Sequence, residues 1–124
     1  MKRIFNLIVL IQCLMIGLSL QAQIGTRFPS ERKVVRDPVT GVDLVFLTSS
    51  PTGERKIYPT HNQWTSDGEW LIFHSQRVPG EAMAVHEKTG EMVQVTEGGF
   101  SGMLSVARKS MKLYYMRHPR GNNA

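Results

Sequence analysis

The chain has 124 residues, 41% of them hydrophobic, which suffices for one small core. Its formal net charge of +5 comes from scattered basic residues, and so modest a charge argues against nucleic acid as a partner. A single cysteine excludes an intrachain disulfide and any cluster of cysteine metal ligands, so the fold must rest on burial.

Lys2 and Arg3 precede an apolar run from Ile4 to Leu20 that is interrupted only by Asn6, Gln12 and Ser19. This is the layout of a secretory signal peptide over residues 1–22, with Ala22 before the cleavage point and Gln23 as the mature start. An uncleaved membrane anchor is the alternative, although the run is shorter than the roughly 20 residues that a spanning helix needs. The cysteine, Cys13, follows Gln12 rather than a small residue, which departs from a lipoprotein cleavage site. Losing Lys2 and Arg3 lowers the basic count from 15 to 13 against 10 acids, so the mature chain carries a formal +3. The densest basic clusters, "ERKVVR" from Glu31 and "ARKSMK" from Ala107, are interleaved with apolar residues as solvated strand faces are. An anionic small substrate stays open.

Residues 23–32, "QIGTRFPSER", have no sustained periodicity and read as a leader. After it every segment has strand character, and glycines and prolines recur too often for a helix of ten or more residues. "VVRDPVTGVDLVFLT" (Val34 to Thr48) and "MAVHEKTGEMVQVT" (Met83 to Thr96) read as matching hairpins, each turning at Thr-Gly and closing on threonine. Gly41 and Gly90 are the expected positive-φ residues, 49 residues apart (90 minus 41). The closing threonines are 48 apart (96 minus 48), a difference that a β-bulge within the strand would absorb. "WTSDGEWLIFHS" (Trp64 to Ser75) lies without a gap on "VARKSMKLYYMR" (Val106 to Arg117) at an offset of 42 (106 minus 64). Its Ser66-Asp67-Gly68 turn then separates two strands of one sheet, with Asp67 holding the turn through the backbone.

Four strands in about 42 to 49 residues is the period of a β-propeller blade. The fold class expected is therefore all-β: a β-propeller fragment of four-stranded antiparallel blades, with pieces at 33–48, 61–96 and 102–117. The whole blade runs from an inner strand near His61 to Thr65, through Trp70 to Ser75 and Glu81 to Glu87, to an outer strand Glu91 to Thr96. Blades leave apolar faces bare until neighbours cover them, so the chain is expected to be the N-terminal piece of a longer protein. A small β-sandwich of the same strands is the alternative.

"YPTHNQWTSDGEWLIFHSQR" followed by "EAMAVHEKTGEMVQVTEGG" resembles the TolB-type propeller repeat, with its Trp-Ser-x-Asp-Gly corner and Thr-Gly hairpin. Together with "RFPSERKVVRDPVTGVDLVFLT" and "GGFSGMLSVARKSMKLYYMR", the chain is similar more narrowly to the N-terminal third of secreted oligogalacturonate lyases of Gram-negative bacteria. That resemblance implies a seven-bladed propeller, periplasmic or secreted, that cleaves acidic oligosaccharides (oligogalacturonides) by β-elimination with a divalent metal, manganese by expectation. The chemistry calls for positive charge to stabilise the enolate while a histidine removes the proton next to the carboxylate. The family's catalytic histidines and metal ligands match no position here, so the implied catalytic residues lie beyond Ala124. The fragment alone is expected to hold no metal and to be inactive, needing the remaining propeller blades as its partners, with no membrane contact after signal cleavage.

The four histidines, His61, His74, His86 and His118, have no compact ligand spacing. His61, ahead of the innermost strand and near the axial channel, is a candidate substrate contact or a structural cap of the long Thr48 to Trp64 connection. Arg77 ends a strand where its guanidinium either meets a uronate carboxylate two-pronged or ties a loop to the neighbouring blade. Trp64, Trp70, Phe73, Tyr114 and Tyr115 read as packing between blades. No Gly-x-Ser-x-Gly elbow and no phosphate-cradling loop is present. Beside the lyase reading stand a non-catalytic TolB-like periplasmic binding propeller and the propeller of a prolyl-oligopeptidase-type peptidase.

Overall fold

The computed structural model describes residues 23–117, apart from the side chains of 101–103; the expected signal peptide and His118 lie outside the described residues. The described chain is all strand: β1 (Arg27–Phe28), β2 (Lys33–Arg36), β3 (Asp43–Phe46), β4 (Glu54–Lys56), β5 (Trp70–Ser75), β6 (Ala82–His86), β7 (Met92–Gln94), β8 (Phe100–Val106) and β9 (Leu113–Arg117). Five form one sheet in the order β1-β7-β6-β5-β4, while β2–β3 and β8–β9 are separate hairpins. Every pairing is antiparallel.

The central sheet is apolar on both sides because its strands alternate two hydrophobic sets rather than one hydrophobic and one polar set. On one side Ile72, Ala82 and Ala84 pack with Ile57 and with Leu104 and Val106 of β8, joined at the margin by Trp70, Phe100, Leu113 and Tyr115. On the other, Phe73, Met83, Val85 and Met92 pack with Phe28 and Leu47, from the segments that flank β2–β3. Burying a side chain of this size contributes about 1.5–3 kcal/mol, so this double-sided sheet is the centre of stability.

The repeat read from the sequence is present hydrogen bond by hydrogen bond. Around the first turn Val34 pairs with Val45, Val35 with Leu44 and Arg36 with Asp43; around the second Met83 pairs with Gln94, Ala84 with Val93 and Val85 with Met92. The turns match as well, Gly41 N donating to Asp37 O and Gly90 N to His86 O, with Gly41 and Gly90 at φ +70° and +72°. All these pairs are related by the same 49-residue step. The step holds through Val95 N donating to Ala82 O, the counterpart of Lys33 opposite Phe46. The one-residue difference therefore falls after the paired strands, not in a bulge inside them.

The second alignment holds equally. Trp64 bridges Leu71 and Val106 pairs with Leu113, while Thr65 N donates to Trp70 O and Ala107 N to Lys112 O. Both pairs are related by 42 residues. At the first of these corners Asp67 accepts from Thr65 Oγ1 and Glu69 N, bonds that hold its carboxyl below the usual range, with Thr65 the larger cause.

Two strands differ from expectation. The leader supplies β1, whose Arg27 and Phe28 pair with Val93 and Met92 and add a fifth strand at the outer edge, reinforced by an ion pair of Arg27 with Glu91. The inner strand begins at Glu54, inside what reads as a loop, and is split in two. Glu54, Arg55 and Lys56 pair with Ser75, His74 and Phe73; Gln63 O then accepts from Ile72 N, the next residue of β5. Ile57 through Asn62 are thus an insertion looped out of the innermost strand. Strand β8 has a smaller irregularity at the matching place, between Ser101 and Ser105, where the register shifts by two.

Candidate functional site

Because β4 has no neighbour on its outer side among the described residues, its side chains and the looped-out insertion border open space. Directly opposite residues of an antiparallel pair share a face, so β4 sends its charges two ways. Glu54 lies with Ser75 on one face, and Arg55 with His74 on the other.

On the first face Arg77, its side chain 7% exposed, is held by Glu31 and Glu54 and by Ser75 Oγ at 2.9 Å. Glu31 also accepts from the backbone N–H groups of Ser49 and Ser50 at 2.8 Å each. These donors, Arg77 foremost, bring its carboxyl from 4.5 to about 2. Arg77 therefore fastens the leader and the segment after β3 to the central sheet.

On the second face lies a cleft formed of adjoining hollows that share Arg55 and His74, the largest about 440 Å³. Lys56 and Tyr58 line one end, and Gln76 and Phe100 the other. His74 stacks on Phe100 with ring centres 5.0 Å apart and 23° between planes. Burial pushes its imidazole pKa down and the Arg55 charge pushes it further, so His74 is a neutral ring at neutral pH. Two carboxylates, Glu54 and Glu81, also line these hollows, and each is held by other groups. Glu54 meets Arg77, and Glu81 accepts from Thr96 Oγ1 at 2.6 Å and Gly99 N at 2.7 Å. Among the described residues no ion pair involves Arg55 or Lys56.

His61 sits within the insertion but is not a wall of this cleft. Its ring meets that of Tyr58 edge-on at 5.4 Å, and its N–H closes a turn on Tyr58 O at 3.0 Å. Nδ1 is buried without a hydrogen-bond partner. The structure thus places His61 beside a cleft residue and Arg77 on the opposite face, and does not bring the two together. His86 stays apart, edge-on to Trp70 at 4.9 Å with Nδ1 accepting from Thr89 N. Among the described residues no three histidine, aspartate or glutamate side chains cluster as a metal site requires, so these residues do not fit a divalent cation and no chemical step is assigned to one here.

Arg55 and Lys56 were legible only indirectly. "GERK" looks like a charged loop, but Gly53 and Gly99, with φ +80° and +70°, each precede an inner strand. Aligning those two glycines would have located β4.

No protein-family model matches the sequence, and comparison with curated proteins gives no match. Among solved structures the chain is similar to an oligogalacturonate lyase from Vibrio parahaemolyticus, with a TM-score of 0.66 and 19% identity over 77% of this chain and 26% of that one. It is likewise similar to an oligogalacturonate lyase in complex with manganese, with a TM-score of 0.64 and 21% identity over 76% of this chain and 26% of that one. The chain spans about a quarter of the length of the solved structures it matches. It has the fold of an oligogalacturonate lyase propeller segment: antiparallel β-blades, one of them complete.

Proposed function

We propose that this chain is the N-terminal part of an exported oligogalacturonate-lyase-like protein that cleaves pectic oligosaccharides by β-elimination. The observation that carries the reading is the shared fold with two such lyases; the signal-peptide pattern of residues 1–22 supports export. In the reaction a base takes the proton beside the uronate carboxylate, the electron pair forms a carbon–carbon double bond, and the bond to the glycosidic oxygen breaks as that oxygen takes up a proton. Divalent metal, expected to be manganese, would stabilise the enolate from residues other than those described. The part assigned to this chain is scaffold and substrate orientation at its inner edge, where Arg55, Lys56 and Tyr58 lie.

The test compares the complete product of the reading frame with the 124-residue chain, each given digalacturonate and manganese, by the ultraviolet absorbance of the unsaturated uronate. Product from the complete protein and none from the 124-residue chain is expected. Product from the short chain would move the chemistry into the described residues, and its absence from both would overturn the reading.

A further inference from the structure

The leader joins the outer edge of the central sheet within a few residues of Gln23. Gly25 N donates to Gln94 O and Gln94 N to Thr26 O, at 2.9 Å each, which prolongs the pairing of β1 with β7. Just ahead of these bonds the chain reverses in a turn. Thr26 N donates to Gln23 O at 2.9 Å, and Gly25, at φ +88°, is the left-handed third residue that such a turn favours. Gln23 N donates to the Thr26 hydroxyl, Oγ1, at 3.1 Å, and Gln23 is exposed. The cleavage point expected after Ala22 falls directly before this turn, so that cutting there would leave the new terminus pinned to the sheet edge.

We propose that Gln23 is a modification site: once it is the N-terminal residue of the exported chain, it closes on itself as pyroglutamate. The neutral α-amine attacks Cδ of its own side-chain amide. The N–Cδ bond forms, the Cδ–Nε2 bond breaks, and the departing nitrogen takes up a proton and leaves as ammonia, with no oxidant or second substrate. An α-amine titrates at about 7.7–8.0, so on the order of a tenth of it is neutral and nucleophilic at pH 7. Its partner, Thr26 Oγ1, is an uncharged hydroxyl, which does not favour the charged amine as a carboxylate would. The exposed side chain is free to reach the amine. The five-membered lactam keeps one N–H with which to bond Thr26 Oγ1, while the terminal charge is lost. The result is a terminus without a free amine, held in a turn on the outer strand and closed to peptidases that recognise such an amine. Cleavage rests on the export reading above; ring closure rests on Gln23 and its turn.

The test is mass spectrometry of the N-terminal peptide of the exported protein, recovered without acid or heating from the cells that naturally make it. An isotope-labelled synthetic peptide of residues 23–28, carried through the same steps, reports any ring closure during handling. The protein is expected to begin at Gln23 and to be lighter by one ammonia in most molecules, while the added peptide stays open. A Gln23→Asn variant made in the same cells should keep its amine, because its closure would need a four-membered ring, and should unfold at the same urea midpoint as the native protein. A free amine on Gln23, closure no greater than in the added peptide, or a mature chain that starts at another residue overturns the proposal. The two readings fail separately: a chain cut before Gln23 with its amine free removes the ring and keeps export, whereas a chain still carrying residues 1–22 removes export as well.

Discussion

The hairpins β2–β3 and β6–β7 have the same turn, the same register and the same positive-φ glycine, yet opposite surroundings. Met83 is 0% exposed while its counterpart one repeat earlier, Val34, is 50% exposed. Strand pairing is therefore local, written into the Thr-Gly turn, whereas burial is supplied by whatever lies alongside. The middle hairpin has β5 and β1 at its edges and apolar segments over both faces; the first leaves Val34, Val35, Leu44, Val45 and Phe46 more than two-fifths exposed. A radial stack of sheets makes this difference intelligible, because each blade is completed only by its neighbours.

The largest test of that contrast removes the fastening between the two regions. Arg77→Met leaves Glu31 and Glu54 facing each other without their cation, and breaking a buried pair from one side costs about 3–5 kcal/mol. Urea unfolding monitored by tryptophan fluorescence measures it. A cost under about 1 kcal/mol would show that the covering segment holds its place without Arg77.

Next comes the matched core position. Met83→Ala should cost about 3 kcal/mol in the same assay, and Val34→Ala less than about 0.5 kcal/mol. Similar costs at both sites would mean that the first hairpin is covered in solution. The matched glycines sharpen the point further. Both occupy left-handed backbone, so Gly41→Ala and Gly90→Ala share a strain of about 1–2 kcal/mol. At Gly90 a methyl group would also meet Ser30 Oγ and Arg32 Cβ, whereas at Gly41 the nearest atom is an Arg36 nitrogen at 3.5 Å. The Gly90 variant should therefore be the less stable by at least about 1 kcal/mol, and equal losses would mean that residues 30–32 give way without cost.

The repeat was legible because it rests on features that sequence records directly: a glycine where φ is positive, a Ser-Asp-Gly corner, and apolar residues on strands that follow. What sequence concealed was β1 and β4. Two residues, Arg27 and Phe28, are too few to show alternation. Glu54-Arg55-Lys56 is charged throughout, because an inner edge strand needs only its backbone to pair with β5 and is free to send its side chains to an ion cluster and to a cleft. The same freedom hid the candidate site. The sequence places His61 ahead of the innermost strand and near the axial channel, yet within the insertion its ring lies against Tyr58, and Arg55, which shares the cleft with His74, lies on the strand just before it. Arg77 was ambiguous for the opposite reason. A strand-end arginine suits a ligand or a carboxylate of its own chain equally, and only the fold brings Glu31, 46 residues away, to its side.

The smallest effect expected is a change of slope with pH, and it bears on the same fastening. The folded-state pKa of Glu31 is lowered from 4.5 to about 2. A carboxyl depressed in this way binds its proton more readily when unfolded, so its contribution is fully present above about 4.5 and is lost as pH falls towards about 2. Glu31→Gln removes the titrating group while leaving Glu54 against Arg77. The variant should be less stable than the native chain at neutral pH, and the gap between their urea midpoints should close as pH falls through that window. Asp37 and Asp67, also held below the usual carboxylate range by hydrogen bonds in their turns, titrate in both proteins and cancel in the difference. A gap constant from neutral pH to about 2 would mean that Glu31 acts through its shape and its hydrogen bonds to Ser49 and Ser50 rather than through its charge on Arg77. The segment covering Phe73 and Met83 would then be held by packing and by those two hydrogen bonds, and the contrast between the two hairpins would owe nothing to the charge of Glu31 on Arg77.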